Sequence, residues 1–381
     1  MKKIYTLFAL VLVASMLLAA CGAPAATPAP VATEAAAAAT VAPADTAAPA
    51  EPTATTAAAA PATDDCKSPD LFCVGVVTDV GKIDDKSFNQ SAWEGAKQAE
   101  TDLGAKVQYI ETTDAKDYDK NISTFGDANY DVIVTIGFAL GEATAKAAAT
   151  YPDIKFIGVD QFQDTTKPVP ANLVGLVFPE DQAGFLVGAL AAQMTKTKKI
   201  GGVFGTDAVP PVWRYGEGYK AGAAYIDPTV EVTAVYHNDV GFDKTFSDPE
   251  WGATTANGMI DKGVDVIFGG GGKTGNGAVI AAAQRNVYAI GVDSDQYFTL
   301  PEAQKMLLSS AMKLITPGVF DLIKMAKEGT FPSGNYVGQA GYAPYHDLDS
   351  VVPDAVKAKM QEIFKGLLDG SIKTGVSPAK P

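Results

Sequence analysis

From Val74 onward, short β-branched runs alternate with stretches that fit helices, and this rhythm constrains the fold more than any other feature. The runs fall at residues 74–77, 107–110, 132–136, 154–159, 200–204, 230–235, 264–268 and 287–292, with helix-compatible stretches such as 141–150, 182–194 and 275–285 between them. Continuous apolar runs of this length read as strands buried on both faces. Alternation with helices predicts βαβ units, mostly parallel sheets and helices on both faces, an α/β fold. Residues 173–178 form an extra strand with no helix before it. Pro179 follows, and a crossing from one lobe to a second is expected there.

The first unit shows where function is expected. Its strand runs into Asp79, then Gly81, then a polar loop with Asp84, Asp85 and Lys86. Ser87 and Gln90 have capping-box spacing, so a helix is predicted to begin there, with Trp93, Ala96, Ala99 and Leu103 as its buried stripe. Phe88 and Asn89 then sit on the helix start beside Asp79, at the carboxyl end of a strand, where open α/β sheets bind ligands. Other strands end in comparable punctuation: Gly137-Phe138, Asp160-Gln161, Gly205-Thr206-Asp207, residues 269–272 and Asp293-Ser294-Asp295. Each acid alone reads as a turn residue or helix cap. Their recurrence at one structural place predicts a single interlobe cleft.

The amino terminus carries an address. Lys2 and Lys3 precede an apolar stretch, residues 4–18, that closes on Leu18-Ala19-Ala20-Cys21, and the run is short for a bilayer crossing. Residues 1–20 are therefore expected to be an export signal. These last four residues resemble the bacterial lipobox, which implies cleavage before Cys21 and acylation of its thiol. Residues 21–65, almost wholly Ala, Pro and Thr, lack the large apolar side chains a core needs and are expected to be a tether.

About 315 of the 381 residues follow, more than one core comfortably holds, so two lobes are expected. Their predicted extents are 66–178 plus 294–315 for lobe 1 and 179–293 plus 316–381 for lobe 2. A net charge of −14 disfavours nucleic-acid binding. Cys66 and Cys73 lie seven apart in an exported chain, and a disulfide and two free thiols both fit that spacing. With two histidines and no Cys/His cluster, neither a zinc site nor another metal or cofactor is expected.

The segments VTDVGKIDDKSFNQSAWEG (77–95), GGGGKTGNG (269–277), IGVDSDQY (290–297) and SSAMK (309–313) resemble the basic membrane protein family of ABC-transporter substrate-binding lipoproteins. The purine-nucleoside-binding, PnrA/TmpC-like branch is the nearest, and the resemblance runs from about Val74 to Tyr345. It implies a type I periplasmic-binding-protein fold, two Rossmann-like lobes joined by three crossing strands. It also implies a monomeric lipid-anchored protein on the extracytoplasmic face that hands nucleosides to a permease and its ATPase. By the same resemblance Asp79 bonds the purine edge, Phe88 stacks on the base, and Asn89 reaches into the pocket. Asp160 is the acid that ends the fourth strand; Gly270 and Gly272 are close-approach glycines; Asp293 and Lys313 hold the ribose hydroxyls. Gly137 is expected in the same cleft. For the second stacking ring Trp213 and Tyr215 are candidates, with Phe268 as competitor, because the stretch VPPVWRYGEGY departs from the family's arginine-rich form.

The chemistry agrees. A nucleoside offers an aromatic face, a hydrogen-bonding edge and a vicinal diol, for which aromatic rings, carboxylates and a lysine are suited partners. Three enzyme readings fit poorly. Residues 78–85 only faintly resemble the acidic motif of calcium-dependent nucleoside hydrolases, since an extra residue shifts the paired acids and position 77 is valine. Gly272-Lys273-Thr274 fails as a nucleotide loop because position 267 is isoleucine. A serine hydrolase lacks its nucleophile-elbow glycines. A binding protein for a sugar or another neutral small molecule remains the main alternative, with a surface-adhesive lipoprotein behind it. The expected mechanism is closure of the lobes on the ligand, with hinges near Phe178, Asp293 and Lys313.

Overall fold

The structure, a computed structural model, describes residues 65–381. The signal segment, Cys21 and the Ala/Pro/Thr-rich stretch lie outside the described residues. The chain first builds β1 (Cys73–Val80), α1 (Phe88–Leu103), β2 (Lys106–Thr112), α2 (Tyr118–Asp127), β3 (Val132–Ile136), α3 (Gly141–Thr150), β4 (Lys155–Val159) and β5 (Leu173–Val177). It then forms α4 (Glu180–Met194), β6 (Lys199–Phe204), α5 (Pro210–Ile226), β7 (Glu231–Tyr236), α6 (Phe242–Thr245), α7 (Pro249–Ile260), β8 (Val266–Gly270), α8 (Gly272–Gln284), β9 (Tyr288–Asp293), α9 (Gln296–Thr299) and β10 (Leu307–Lys313). It closes with α10 (Ile315–Lys327), β11 (Gly334–Val337), β12 (Ala340–Tyr342) and α11 (Asp354–Leu368).

Among the described residues these strands form two sheets, ordered β11-β5-β4-β3-β1-β2 and β12-β10-β9-β8-β6-β7. All pairs are parallel except β10 with β12. Helices cover both faces of each sheet, which is why strands such as β3 and β8 are buried from end to end. Each predicted strand is present, shifted by at most three residues at its ends.

Three crossings join the lobes. The first is Phe178-Pro179, between β5 and α4. The second is Leu314, between β10 and α10, and the third runs through Gly338 and Gln339, between β11 and β12. They are bonded to one another: Leu314 N donates to Gln339 O (2.9 Å) and Gly338 N to Val177 O (2.8 Å). The lobe boundaries therefore differ from those expected after position 293. β10 belongs to the second sheet, in parallel register with β9 (Ser310↔Gly291). α10 and β11 return to lobe 1, where α10 packs on α1 and β11 pairs with β5. Asp293 ends β9 inside lobe 2 and is not at a crossing. Cys66 and Cys73 form a disulfide, Cα–Cα 5.8 Å, that fastens the chain to the start of β1.

Candidate ligand-binding cleft

The carboxyl ends of both sheets face each other across a cavity of about 360 Å³, within the roughly 300–1,000 Å³ usual for small-molecule sites. Lobe 1 contributes Asp79, Asp85, Phe88, Asn89, Gly137, Phe138 and Asp160; lobe 2 contributes Phe204, Val212, Tyr215, Phe242, Phe246, residues 270–272, Asp293 and Lys313. Strand-end geometry produces this. Asp160 and Asp293 follow or end equivalent strands, and both take the left-handed backbone (φ 61° and 64°), turning their carboxylates into the cleft. Gly137, at φ 112°, lets Asp79 in: a Cβ there would stand 2.2 Å from Asp79 Oδ2.

The α1 start differs from the predicted capping box. Asp85 is the cap: its Oδ1 accepts from Ser87 N (2.9 Å) and Gln90 N (3.1 Å), and its Oδ2 from Asn89 N (2.9 Å). A carboxylate reaches three helix-start amides where a hydroxyl reaches one. The Ser87 hydroxyl is thereby freed to donate to Asp293 Oδ2 across the cleft (2.8 Å). Gln90 bonds Glu94 instead.

A buried charge cluster closes the floor. Lys313 Nζ lies 2.6 Å from Asp160 Oδ2, 3.4 Å from Glu180 Oε1 and 3.9 Å from Asp293 Oδ1. Arg214 Nε donates to the other Glu180 oxygen (2.8 Å). The ammonium also sits 5.0 Å from the Phe88 ring centre, 5.5 Å from Phe178 and 5.6 Å from Tyr215, a cation–π enclosure. Burial alone would lower the Lys313 pKa, but the three carboxylates outweigh it and raise it well above the usual lysine range. Burial lifts Asp160 to about 6 against the pull of Lys313. Burial, with Asp85 and Asp160 near, lifts Asp79 to about 7.

Several acceptors in the cleft are left open. Among the described residues Asp79 has no side-chain hydrogen bond, and Asp160 Oδ1 and Asn89 Oδ1 are buried without a partner. On the other side α8 opens on the cavity with its amino terminus, the donor end of a helix. The cleft thus asks for a ligand with donors toward lobe 1 and acceptor oxygens toward α8. Among the described residues no group of three or more His, Cys, Asp or Glu could hold a metal ion.

Of the residues named from sequence, Asp79, Phe88, Asn89, Gly137, Asp160, Gly270, Gly272, Asp293 and Lys313 all line the cavity. Trp213 and Phe268 do not. Phe268 is fully buried against Phe204, Tyr215 and Tyr219 beneath α5, because both faces of a doubly covered sheet are core. Trp213 points off the lining side of α5, which presents Pro211, Val212 and Tyr215 at helical spacing. The lobe-2 rings that do line the cavity are Phe204, Tyr215, Phe242 and Phe246. The spacing of Phe242 and Phe246, four apart between a strand and a helix, was the available signal. Glu180 was also missed, although it follows the Pro179 crossing directly.

A profile of the family described as Bmp, ABC transporter substrate-binding protein PnrA-like, matches residues 72–338. The chain belongs to this family. The CD4+ T-cell-stimulating antigen of Listeria monocytogenes is 33% identical over 339 residues, 83% of this chain and 90% of that protein. The ABC transporter nucleoside-binding protein BmpA of Lactococcus lactis subsp. cremoris is 32% identical over 280 residues, 69% and 77% of the two chains. An ABC transporter solute-binding protein of Aeropyrum pernix superposes with a TM-score of 0.69 at 26% identity, over 79% of this chain and 92% of that one. The fold is the type I periplasmic-binding-protein arrangement, and the chain is a substrate-binding protein of an ABC transporter and not an enzyme.

Proposed function

We propose that the cleft binds purine nucleosides and delivers them to an ABC permease and its ATPase. The observation that carries this reading is the pairing of unfilled acceptors on Asp79, Asp160 and Asn89 with aromatic walls from both lobes. An ionised Asp79 accepts from an N–H-bearing base edge. Phe88 from lobe 1 and Phe246 from lobe 2 stack on the base, each worth about 1–3 kcal/mol. Asp293 accepts from ribose hydroxyls while Lys313, held by Asp160 and Glu180, donates to their oxygens. The carboxylates around the cavity outnumber its cations, which disfavours phosphorylated ligands. The name of the Lactococcus relative supports the same class. We further propose that acylation of Cys21 anchors the protein, as a monomer, on the extracytoplasmic face; among the described residues no helix is long and apolar enough to cross a membrane.

Calorimetry of the 65–381 domain against guanosine, inosine, adenosine, free bases, ribose and common sugars tests the ligand. Binding of nucleosides but not of ribose or glucose is expected. A sugar response with silence toward nucleosides would keep the fold and discard the ligand.

A further inference from the structure

The turn at residues 84–87 belongs to lobe 1, yet lobe 2 grips its main chain. Lys86 takes the left-handed backbone (φ 64°), and its carbonyl accepts from Gln296 Nε2 (3.1 Å) and Thr299 Oγ1 (3.0 Å). The neighbouring carbonyl of Asp85 accepts from Asn276 Nδ2 (2.8 Å). Gln296 and Asn276 are both buried and bonded to each other, Nε2 to Oδ1 at 2.8 Å. Gln296 is set from within its own lobe: its Oε1 accepts from Val292 N (3.0 Å) and its main-chain N donates to Ser310 Oγ (3.1 Å). Neither amide side chain lines the cavity.

The gripped turn is the one that builds the site. Asp85 caps α1 and so sets Phe88 and Asn89, and Ser87 bonds Asp293. We propose that Asn276 and Gln296 are positioning residues, a clasp that captures two main-chain carbonyls of lobe 1 when the lobes close and so sets affinity and residence time without touching the ligand. The physical basis is simple. In the open form these carbonyls and amides are hydrated; on closure they exchange water for each other, and each exchange weights the closed state. Ligand affinity scales with the closed fraction, so weakening the clasp raises Kd and speeds release. The exposed Lys273–Asp84 pair at the same rim, 3.7 Å, adds little beside it.

The inference rests on the cleft being a binding site, not on which ligand fills it. The test uses the 65–381 domain carrying Asn276→Ala or Gln296→Leu, each first shown folded by near-ultraviolet circular dichroism. In the ligand-free protein, paramagnetic relaxation from a label on lobe 1 to amides of lobe 2 reports even a minor closed population. It is expected to fall in both variants, and enhancement equal to the parent overturns the proposal. With guanosine, inosine and adenosine as probes, Kd is expected to rise about 5- to 30-fold, mostly through faster dissociation. A role confined to fold stability would lower Tm and leave dissociation unchanged, and dissociation within two-fold of the parent in both folded variants also overturns the clasp. If no nucleoside binds the parent, the proposed ligand fails and the relaxation measurement alone decides the clasp.

Discussion

Replacing Lys313 with Met is the sharpest perturbation this molecule offers. The substitution keeps the aliphatic stem against Phe88, Phe178 and Tyr215 but removes the ammonium that faces Asp160, Glu180 and Asp293. All three carboxylates are buried, Glu180 at 0% exposure, and only Glu180 keeps a second cation, Arg214. Removing one partner of a buried ionic cluster typically costs about 3–5 kcal/mol, because the remaining charges stay desolvated. For a domain of this length that is a fall in Tm of roughly 5–8 °C. The loss also depends on pH. Asp160 already titrates near 6 with Lys313 beside it, and it rises further without it. The variant then holds protons that its unfolded form has released, so its stability falls as pH rises from about 5 to 8. Chemical denaturation at pH 5 and pH 8 should show a small difference from the parent at the lower pH and most of the loss at the higher. Adding Asp160→Asn should recover part of it, a coupling that a double-mutant cycle reads directly. A loss under about 1 kcal/mol, or one equal at both pH values, would refute the buried-cluster argument.

Other consequences are as direct. Asp79, lifted to about 7 by burial and the neighbouring Asp85 and Asp160, must ionise to accept a donor-bearing ligand, so calorimetry should find Kd about ten-fold weaker at pH 6 than above pH 8; Asp79→Asn should flatten that profile, and a flat parent profile would remove Asp79 from the contact. The same raised pKa means the native state keeps a proton between about pH 4 and 7, so Asp79 lowers folding stability progressively across that window. Phe246→Ala should weaken nucleoside binding by about 1–3 kcal/mol with little change in Tm, whereas Phe268→Ala should destabilise the fold by about 3–5 kcal/mol; the reverse ranking by titration and denaturation would restore Phe268 as the stacking ring. Gly137→Ala forces a Cβ against Asp79 Oδ2, and a binding titration should show affinity falling at least ten-fold. Reducing the Cys66–Cys73 bond should cost about 2 kcal/mol, read as a lower denaturation midpoint with dithiothreitol than without.

How the site could be read before the fold was known follows from where its residues stand. Asp79, Asp160 and Asp293 end or follow buried parallel strands, and α/β architecture sends such positions to one crevice whatever else the chain does. The β-branched runs themselves are local signals, legible in one dimension. Partnership is not local. Asp160 meets Lys313 across 153 positions, and nothing in either neighbourhood names the other. Lobe membership after Asp293 is non-local for the same reason: whether β10 extends the first sheet or the second depends on which edge is free to pair, and the chain crosses back only at Leu314. Ser87 had the spacing of a cap, but Asp85 lay close enough to outcompete it, and that left the hydroxyl to bridge the lobes. Phe268 and Phe246 are both aromatic residues of lobe 2. Only packing sends the first under α5 and the second into the cleft: Phe268 lies in the middle of β8, whereas Phe246 follows α6 at the cleft's edge. Sequence by itself determined the order of strands, helices and chemistry-bearing ends, because those depend on periodicity and neighbours. Tertiary structure alone decided which ends face each other, because closure brings together groups whose attraction acts over ångströms and not over positions in the chain.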